Sequence, residues 1–151
     1  MRRHQGFTLI ELLIVLGIFG VVMGIAALNL RPLSGDVQAA ANEVAGTFKQ
    51  ARARAMVTTS AHRVVPSASG DTLTVQSAAT CNPADPNAWT TNDRLTRTLR
   101  EGVKLEQTNW RVCFTSRGLA TSGPSFDLIG KDGKTINVRV FLGGTVELSY
   151  E

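Results

Sequence analysis

The densest chemistry of the chain lies in its first eleven residues. A Gly6-Phe7 peptide bond, preceded by Arg2-Arg3-His4-Gln5, is followed by Thr8-Leu9-Ile10 and then Glu11, a lone acid in an apolar run. Cutting that bond frees an α-amino group on Phe7 about one helical turn from Glu11, or from Glu11 of a neighbouring subunit. The acid then has a cation, which matters because an ionised carboxylate in an apolar helix costs about 2.5–3.5 kcal/mol on insertion scales. The competing reading is a Glu near the membrane edge that reaches the headgroups. A second chemistry is thiol oxidation at Cys81 and Cys113. Catalysis has no visible constellation: there is no Ser in a nucleophile elbow, no His beside a plausible nucleophile, no phosphate loop and no metal cluster. Asp71, Asp127 and Asp132 read as turn or strand acids, so neither enzyme, cofactor nor metal is expected.

The element that positions Phe7 and Glu11 is a long apolar segment. Between Phe7 and Leu30 the only strongly polar side chains are Thr8, Glu11 and Asn29, and as a helix at about 1.5 Å per residue this stretch is roughly 36 Å long. That spans a bilayer. Arg2 and Arg3 before it keep the N-terminus cytoplasmic by the positive-inside tendency and place the rest outside. A cleavable secretory signal would have a shorter apolar core, about 7–15 residues, and a small-x-small site; Ala26-Ala27-Leu28 is a poor one. Gly20 and Gly24, spaced as small-x-x-x-small, with Gly17, offer a close approach for a second helix, although glycines are common in membrane helices.

Gly6-Phe7-Thr8-Leu9-Ile10-Glu11 behind its basic head resembles the type IV filament family, the pilins and type II secretion pseudopilins. The resemblance implies a leader over residues 1–6, cut after Gly6 by a membrane prepilin peptidase that also N-methylates Phe7. It makes Glu11 the assembly acid. It further implies other pilins or pseudopilins, an inner-membrane assembly platform and membrane lipid as partners, with the outer domain in the periplasm and then in a filament. The chain departs from many pilins in having Leu28 where they carry Pro; Pro32 comes four residues later, so a helix break is expected near the membrane surface.

Past the anchor, composition bounds one outer domain of ordinary small size. The chain has 16 basic and 12 acidic residues, and setting aside Arg2, Arg3 and Glu11 leaves 14 and 11, a net of +3. That excess is too mild to argue for nucleic acid. Two cysteines in an oxidising compartment favour a Cys81–Cys113 disulfide, contributing on the order of 3–4 kcal/mol. His62 is the only His beyond the leader, and neither Cys has a further ligand at metal spacing.

Ser34-Gly35-Asp36 reads as a break and a helix N-cap. Val37, Ala41, Val44, Phe48, Ala51 and Ala55 then recur at steps of three or four, which predicts an amphipathic helix to about Thr58 laid on a sheet. The expected organisation is residues 1–6 leader, 7–30 transmembrane helix, 31–60 helical spine and 61–151 β domain. Strands are expected at 61–66, 72–77, 95–100, 103–107, 111–115, 125–129, 135–142 and 145–150, with a largely irregular loop at 80–93. Ser69-Gly70-Asp71, Asp132-Gly133 and Gly143-Gly144 read as turns. The fold class is α+β: a long N-terminal helix, transmembrane then amphipathic, packed on an antiparallel sheet as in pilins.

Ala41-Asn42-Glu43, Gln50-Ala51-Arg52-Ala53-Arg54-Ala55, Val112-Cys113-Phe114-Thr115-Ser116-Arg117-Gly118 and Gly143-Gly144-Thr145-Val146 are similar to the GspH/FimT-type minor pilins and pseudopilins. Some of that group bind DNA through basic residues at the C-terminal hairpin. Here Thr145 stands where the group often has Arg, with Glu147 and Glu151 nearby, whereas phosphate contacts need Lys or Arg. The remaining basic cluster is Arg94, Arg97, Arg100 and Lys104, with Arg111 and Arg117 as further members; in a strand, Arg94 and Arg97 would fall on opposite faces. The bland reading is a solvated basic edge that prevents wrong strand pairing. Three functions stay open: a structural filament subunit, a DNA-capturing module on the same scaffold, and an ordinary single-pass envelope protein.

Overall fold

The structure, a computed structural model, describes residues 8–29 and 35–150, the side chains of 24–29 excepted. Gly6, Phe7 and the expected break at Pro32 lie outside the described residues. The chain divides into two units, residues 1–33 and 34–151.

The first unit contains α1, Leu9–Asn29. Its start is set by Thr8, whose backbone oxygen accepts from the Leu12 N–H at 3.2 Å and whose Oγ1 accepts from the Glu11 N–H at 3.3 Å. A Thr three residues before a Glu is half of a capping box, and Glu11 in the first turn suits the positive end of the helix dipole. Leu9 is 82% exposed and Ile10 68%, and the apolar side chains on to Met23 remain open. Among the described residues no helix is long and apolar enough to cross a membrane; for α1 those side chains end at Met23.

The second unit opens with α2, Asp36–Val57. Alanine's high helix propensity carries much of it. The N-cap is Gly35, with no side-chain cap, and Asp36 lies in the first turn. Val37, Ala40, Ala41, Val44, Ala45, Phe48, Ala51 and Ala55 are buried along one face. The helix ends where Thr59 takes φ +47° and the Ser60 N–H reaches the Ala55 carbonyl at 3.2 Å, the bond of a Schellman stop that usually places Gly at the left-handed position.

Nine short strands follow: β1 Ala61–Pro66, β2 Thr72–Ala78, β3 Thr90–Thr91, β4 Arg97–Thr98, β5 Lys104–Leu105, β6 Val112–Phe114, β7 Ser125–Ile129, β8 Thr135–Val140 and β9 Val146–Tyr150. All their pairings are antiparallel. One sheet runs β3-β2-β1-β6, with β4 also on β2; the other runs β5-β7-β8-β9. The α+β expectation holds, but as two sheets. The region 95–100 shrinks to β4 because Leu95 and Thr96 are held in a turn, where their N–H groups donate to the Asn92 carbonyl. Residues 103–107 and 111–115 shorten to β5 and β6. β8 stops at Val140, because Phe141 belongs to the next turn, where its carbonyl accepts from the Gly144 N–H at 2.7 Å. The loop 80–93 is less irregular than expected, holding a 3₁₀ turn at Pro86–Ala88 and β3.

The two sheets meet at the β1–β2 turn. Gly70 has φ +72°, its carbonyl accepts from the Leu105 N–H at 2.8 Å, and a Cβ there would stand 2.5 Å from the Leu105 oxygen. Only Gly combines that dihedral with that approach. Phe48 of α2 fills the centre: its ring lies 6.3 Å from Phe114 on one sheet, 6.2 Å from Phe126 on the other and 5.9 Å from Trp110. Trp110 in turn stacks on Phe126 at 4.3 Å.

Candidate functional site

Glu11 is solvent-exposed on α1, one turn from the start of that helix. The described residues bring no cation to it: the ion pairs they contain are Lys131–Glu101 and Lys134–Asp132. Gly6 and Phe7, where processing is expected, lie outside the described residues.

In the outer domain Cys81 and Cys113 are joined, with Cα atoms 5.8 Å apart and 32 residues between them in sequence number. Cys113 belongs to β6, so the bond ties the loop after β2 back across the outer face of the first sheet. Among the described residues no group of three or more His, Cys, Asp or Glu could hold a metal ion.

The basic cluster does not form a track. Arg94 sits in a turn and not in a strand, so the opposite-face argument does not apply to it; the turn closes through N–H bonds from Leu95 and Thr96 to the Asn92 carbonyl. Arg97 turns its Nη1 back onto the carbonyls of Arg94 and Thr96 at 2.8 and 3.0 Å. Arg97 lies in the first sheet and Lys104 in the second, while Arg100 is exposed between them. On the C-terminal hairpin Glu147 is paired with Arg139 in register, an acid opposite the one basic residue of that pair of strands.

Two further constellations escape sequence pattern. The Arg52 Nε donates to the Gly118 carbonyl at 2.9 Å, and Gly144 is packed so closely that a Cβ would lie 2.6 Å from that same oxygen and 2.7 Å from the Arg52 Nε. Gly118 and Gly144 have φ +76° and +80°. One guanidinium thus ties the end of α2 to the turn after β6 and to the β8–β9 turn. Beside it Met56, Val57, Leu119 and Leu142 are exposed. On the outer face of the first sheet, the Arg63 guanidinium lies 4.0 Å over the Trp89 ring and its Nε donates to Gln76 Oε1 at 2.7 Å. Burial and then the charge of Arg111 hold Arg63 below the ordinary guanidinium value.

Three other groups are shifted. Asp71 is held below the usual carboxylate range by hydroxyl donors from Ser69, Ser67 and Thr72, which brace the turn against the second sheet. Lys134 does the same for Asp132. His62 is 2% exposed and its Nδ1 has no partner. Burial lowers its pKa from 6.5 against the opposing hydrogen bond to the Ser60 backbone, and the charge of Arg54 adds a smaller lowering effect. The unfolded chain, whose His titrates near pH 6.5, therefore takes up a proton more readily than the fold does. Stability from this group is complete above that pH and is lost as pH falls below it. The unfolding free energy measured between pH 8 and 5 should fall as the pH drops through 6.5, and His62→Gln should reduce that fall.

Comparison with known proteins fits these parts together. A family described as the prokaryotic N-terminal methylation motif matches residues 1–27. No curated protein matches the chain. Among solved structures the minor pseudopilin EpsH of the type 2 secretion system of Vibrio cholerae is similar with a TM-score of 0.59 at 17% identity, covering 77% of this chain and 98% of that one. The chain has a pilin-like fold behind a prepilin-type methylation motif. The type IV minor pilin FimU of Pseudomonas aeruginosa is similar as well, with a TM-score of 0.52 at 18% identity, covering 74% of this chain and 91% of FimU. A second FimU structure gives 0.53, 19%, 75% and 87%.

In this pilin-like chain the sequence motifs around Arg52, Gly118 and Gly144 are one structural joint, a relation visible in sequence only as three separate matches. Arg63 and Trp89 had no signal: they lie 26 positions apart in number and meet because the disulfide-tied loop folds over β1. The capping role of Thr8 is legible in the spacing Thr8-x-x-Glu11.

Proposed function

We propose that this pilin-like chain is a minor subunit of a type IV pilus or a type II secretion pseudopilus, structural and not catalytic, with a role in initiating the filament. The observation that carries the reading is the coincidence of a methylation motif over residues 1–27 with an outer domain of the fold shared with EpsH and FimU. The exposed apolar surface of α1 supports it, since such a surface needs lipid or neighbouring helices to cover it. In this scheme residues 1–6 are the leader, 7–30 the inner-membrane anchor, 31–60 the spine and 61–151 the periplasmic domain. A prepilin peptidase cuts after Gly6 and methylates Phe7, and an assembly platform then moves the helix from lipid into the filament. Helix packing and a charge pair between Glu11 and the Phe7 amine of the same or a neighbouring subunit drive that transfer.

DNA capture through Arg94, Arg97, Arg100 and Lys104 has less support, because Arg97 lies in one sheet and Lys104 in the other, Arg94 sits in a turn, and Arg97 is engaged by backbone carbonyls.

Intact mass and N-terminal sequencing of the protein from its native membrane test the proposal. A chain beginning at N-methyl-Phe7 is expected. Gly6→Ala should leave the leader in place, and Glu11→Ala should insert in the membrane yet be absent from sheared filaments. Either variant entering filaments at wild-type level would overturn the scheme.

A further inference from the structure

The outer face of the first sheet carries a second feature, unrelated to the leader. A pocket of about 290 Å³ is lined by Arg63, Arg111, Trp89, Asn82, Pro83 and Thr121, among others, with the Cys81–Cys113 bond in its wall. Its floor is the sheet: Arg63 of β1 stands opposite Gln76 of β2 and Cys113 of β6. Its other side is the loop that the disulfide ties down, which contributes Asn82, Pro83, Pro86 and Trp89.

Two guanidinium groups share this space without a carboxylate between them. The ion pairs among the described residues lie elsewhere, at Lys131–Glu101 and Lys134–Asp132. The Trp89 ring and Gln76 fix the Arg63 fork by stacking and by its Nε, which leaves its Nη groups without an acceptor among the described residues. Like charges held together at a partly buried site repel, and the arrangement becomes favourable when an anion lies between them. A rigid fork of Arg hydrogens matches a planar carboxylate or a phosphate.

The form of the pocket selects between these sources. A nucleic-acid strand presents phosphates in a row and is followed by a line of cations along a groove, but none of Arg94, Arg97, Arg100 or Lys104 lines this pocket. Its volume suits one side chain. Pro83, Pro86 and Trp89 offer apolar surface to an aliphatic stem, and Asn82 and Thr121 add polar groups at the rim. We infer that Arg63, Arg111 and Trp89 form a receptor for a single acidic side chain, a Glu or Asp carboxylate presented by a partner protein. The disulfide shapes the site by holding the Trp89 loop against the sheet.

The full chain in detergent micelles, labelled so that Arg Nε–H and Trp indole signals are visible, is titrated with N-acetylglutamate N-methylamide and, separately, with the corresponding glutamine derivative. The chain has two Trp, and Trp89→Phe assigns their signals. The glutamate probe should shift the Trp89 indole and the Arg63 Nε signals saturably at millimolar concentration, while the glutamine derivative leaves them in place. Arg111→Gln, a change at an exposed residue, should weaken the effect by about tenfold or more, the loss expected for a charge-assisted bond. Equal responses to the two probes, no saturable shift, or an unchanged titration in Arg111→Gln would overturn the inference. So would an oligothymidylate that shifts the same signals at lower concentration than the glutamate probe, which would assign the pocket to nucleic acid.

Discussion

Phe48→Ala should destabilise the outer domain by about 3–5 kcal/mol, the usual cost of truncating a buried aromatic. The ring is completely buried and lies 6.3 Å from Phe114 and 6.2 Å from Phe126, one on each sheet, so its removal opens a void where helix and both sheets meet. The alanines on either side of it, Ala45 and Ala51, are too small to move in and fill the space. A domain of this size has about 5–15 kcal/mol of stability in all, so the loss is a large fraction. Urea unfolding followed by Trp fluorescence measures it directly, because Trp110 lies 5.9 Å from the deleted ring. A loss below about 1 kcal/mol would show that the sheets can close over the gap.

Cys81→Ser with Cys113→Ser should cost about 3–4 kcal/mol, the chain-entropy contribution expected for a cross-linked loop of this length. The bond spans 32 positions that include β3, β4 and β5, the shortest strands of the fold. Two-residue strands have little ladder of their own, so the loop region depends on the link to stay on the sheet. Unfolding midpoints of the oxidised and reduced wild-type protein, compared with the double variant, provide the measurement. Coincident midpoints for the oxidised and reduced protein would mean that packing of Leu95, Leu99 and Val103 alone secures this region. Arg63 and Trp89 should also separate in the double variant, since the loop that carries Trp89 loses its tether.

Particular residues show what sequence could and could not disclose. The buried face of α2 was readable because its steps of three and four come from the helix repeat alone. β1, β7 and the turns at Gly70, Gly133 and Gly144 were readable for similar local reasons: alternation, and glycines at positive φ. The middle of the chain was not, because Leu95 and Leu99 fall on one face of a strand as readily as in the observed path, and only the turn that closes Leu95 and Thr96 onto the Asn92 carbonyl interrupts it. Nor could any periodicity divide the strands into two sheets, since that division depends on pairings such as Lys104 with Ile129, far apart in the chain.

The residues that bear on function divide along the same line. Gly6, Phe7 and Glu11 fall within one short stretch, and the chemistry expected of them follows from that spacing, so the sequence alone carried the filament reading. The disulfide followed from two cysteines and an oxidising compartment. What only the tertiary structure decided was the company kept by the arginines. Arg52 joins Gly118 and Gly144, Arg97 folds onto its own turn, and Arg63 meets Trp89 and Arg111 beneath the tied loop. A guanidinium reaches several ångströms from its backbone, and its partners are whatever the packing of distant segments places there, information that composition and spacing do not contain.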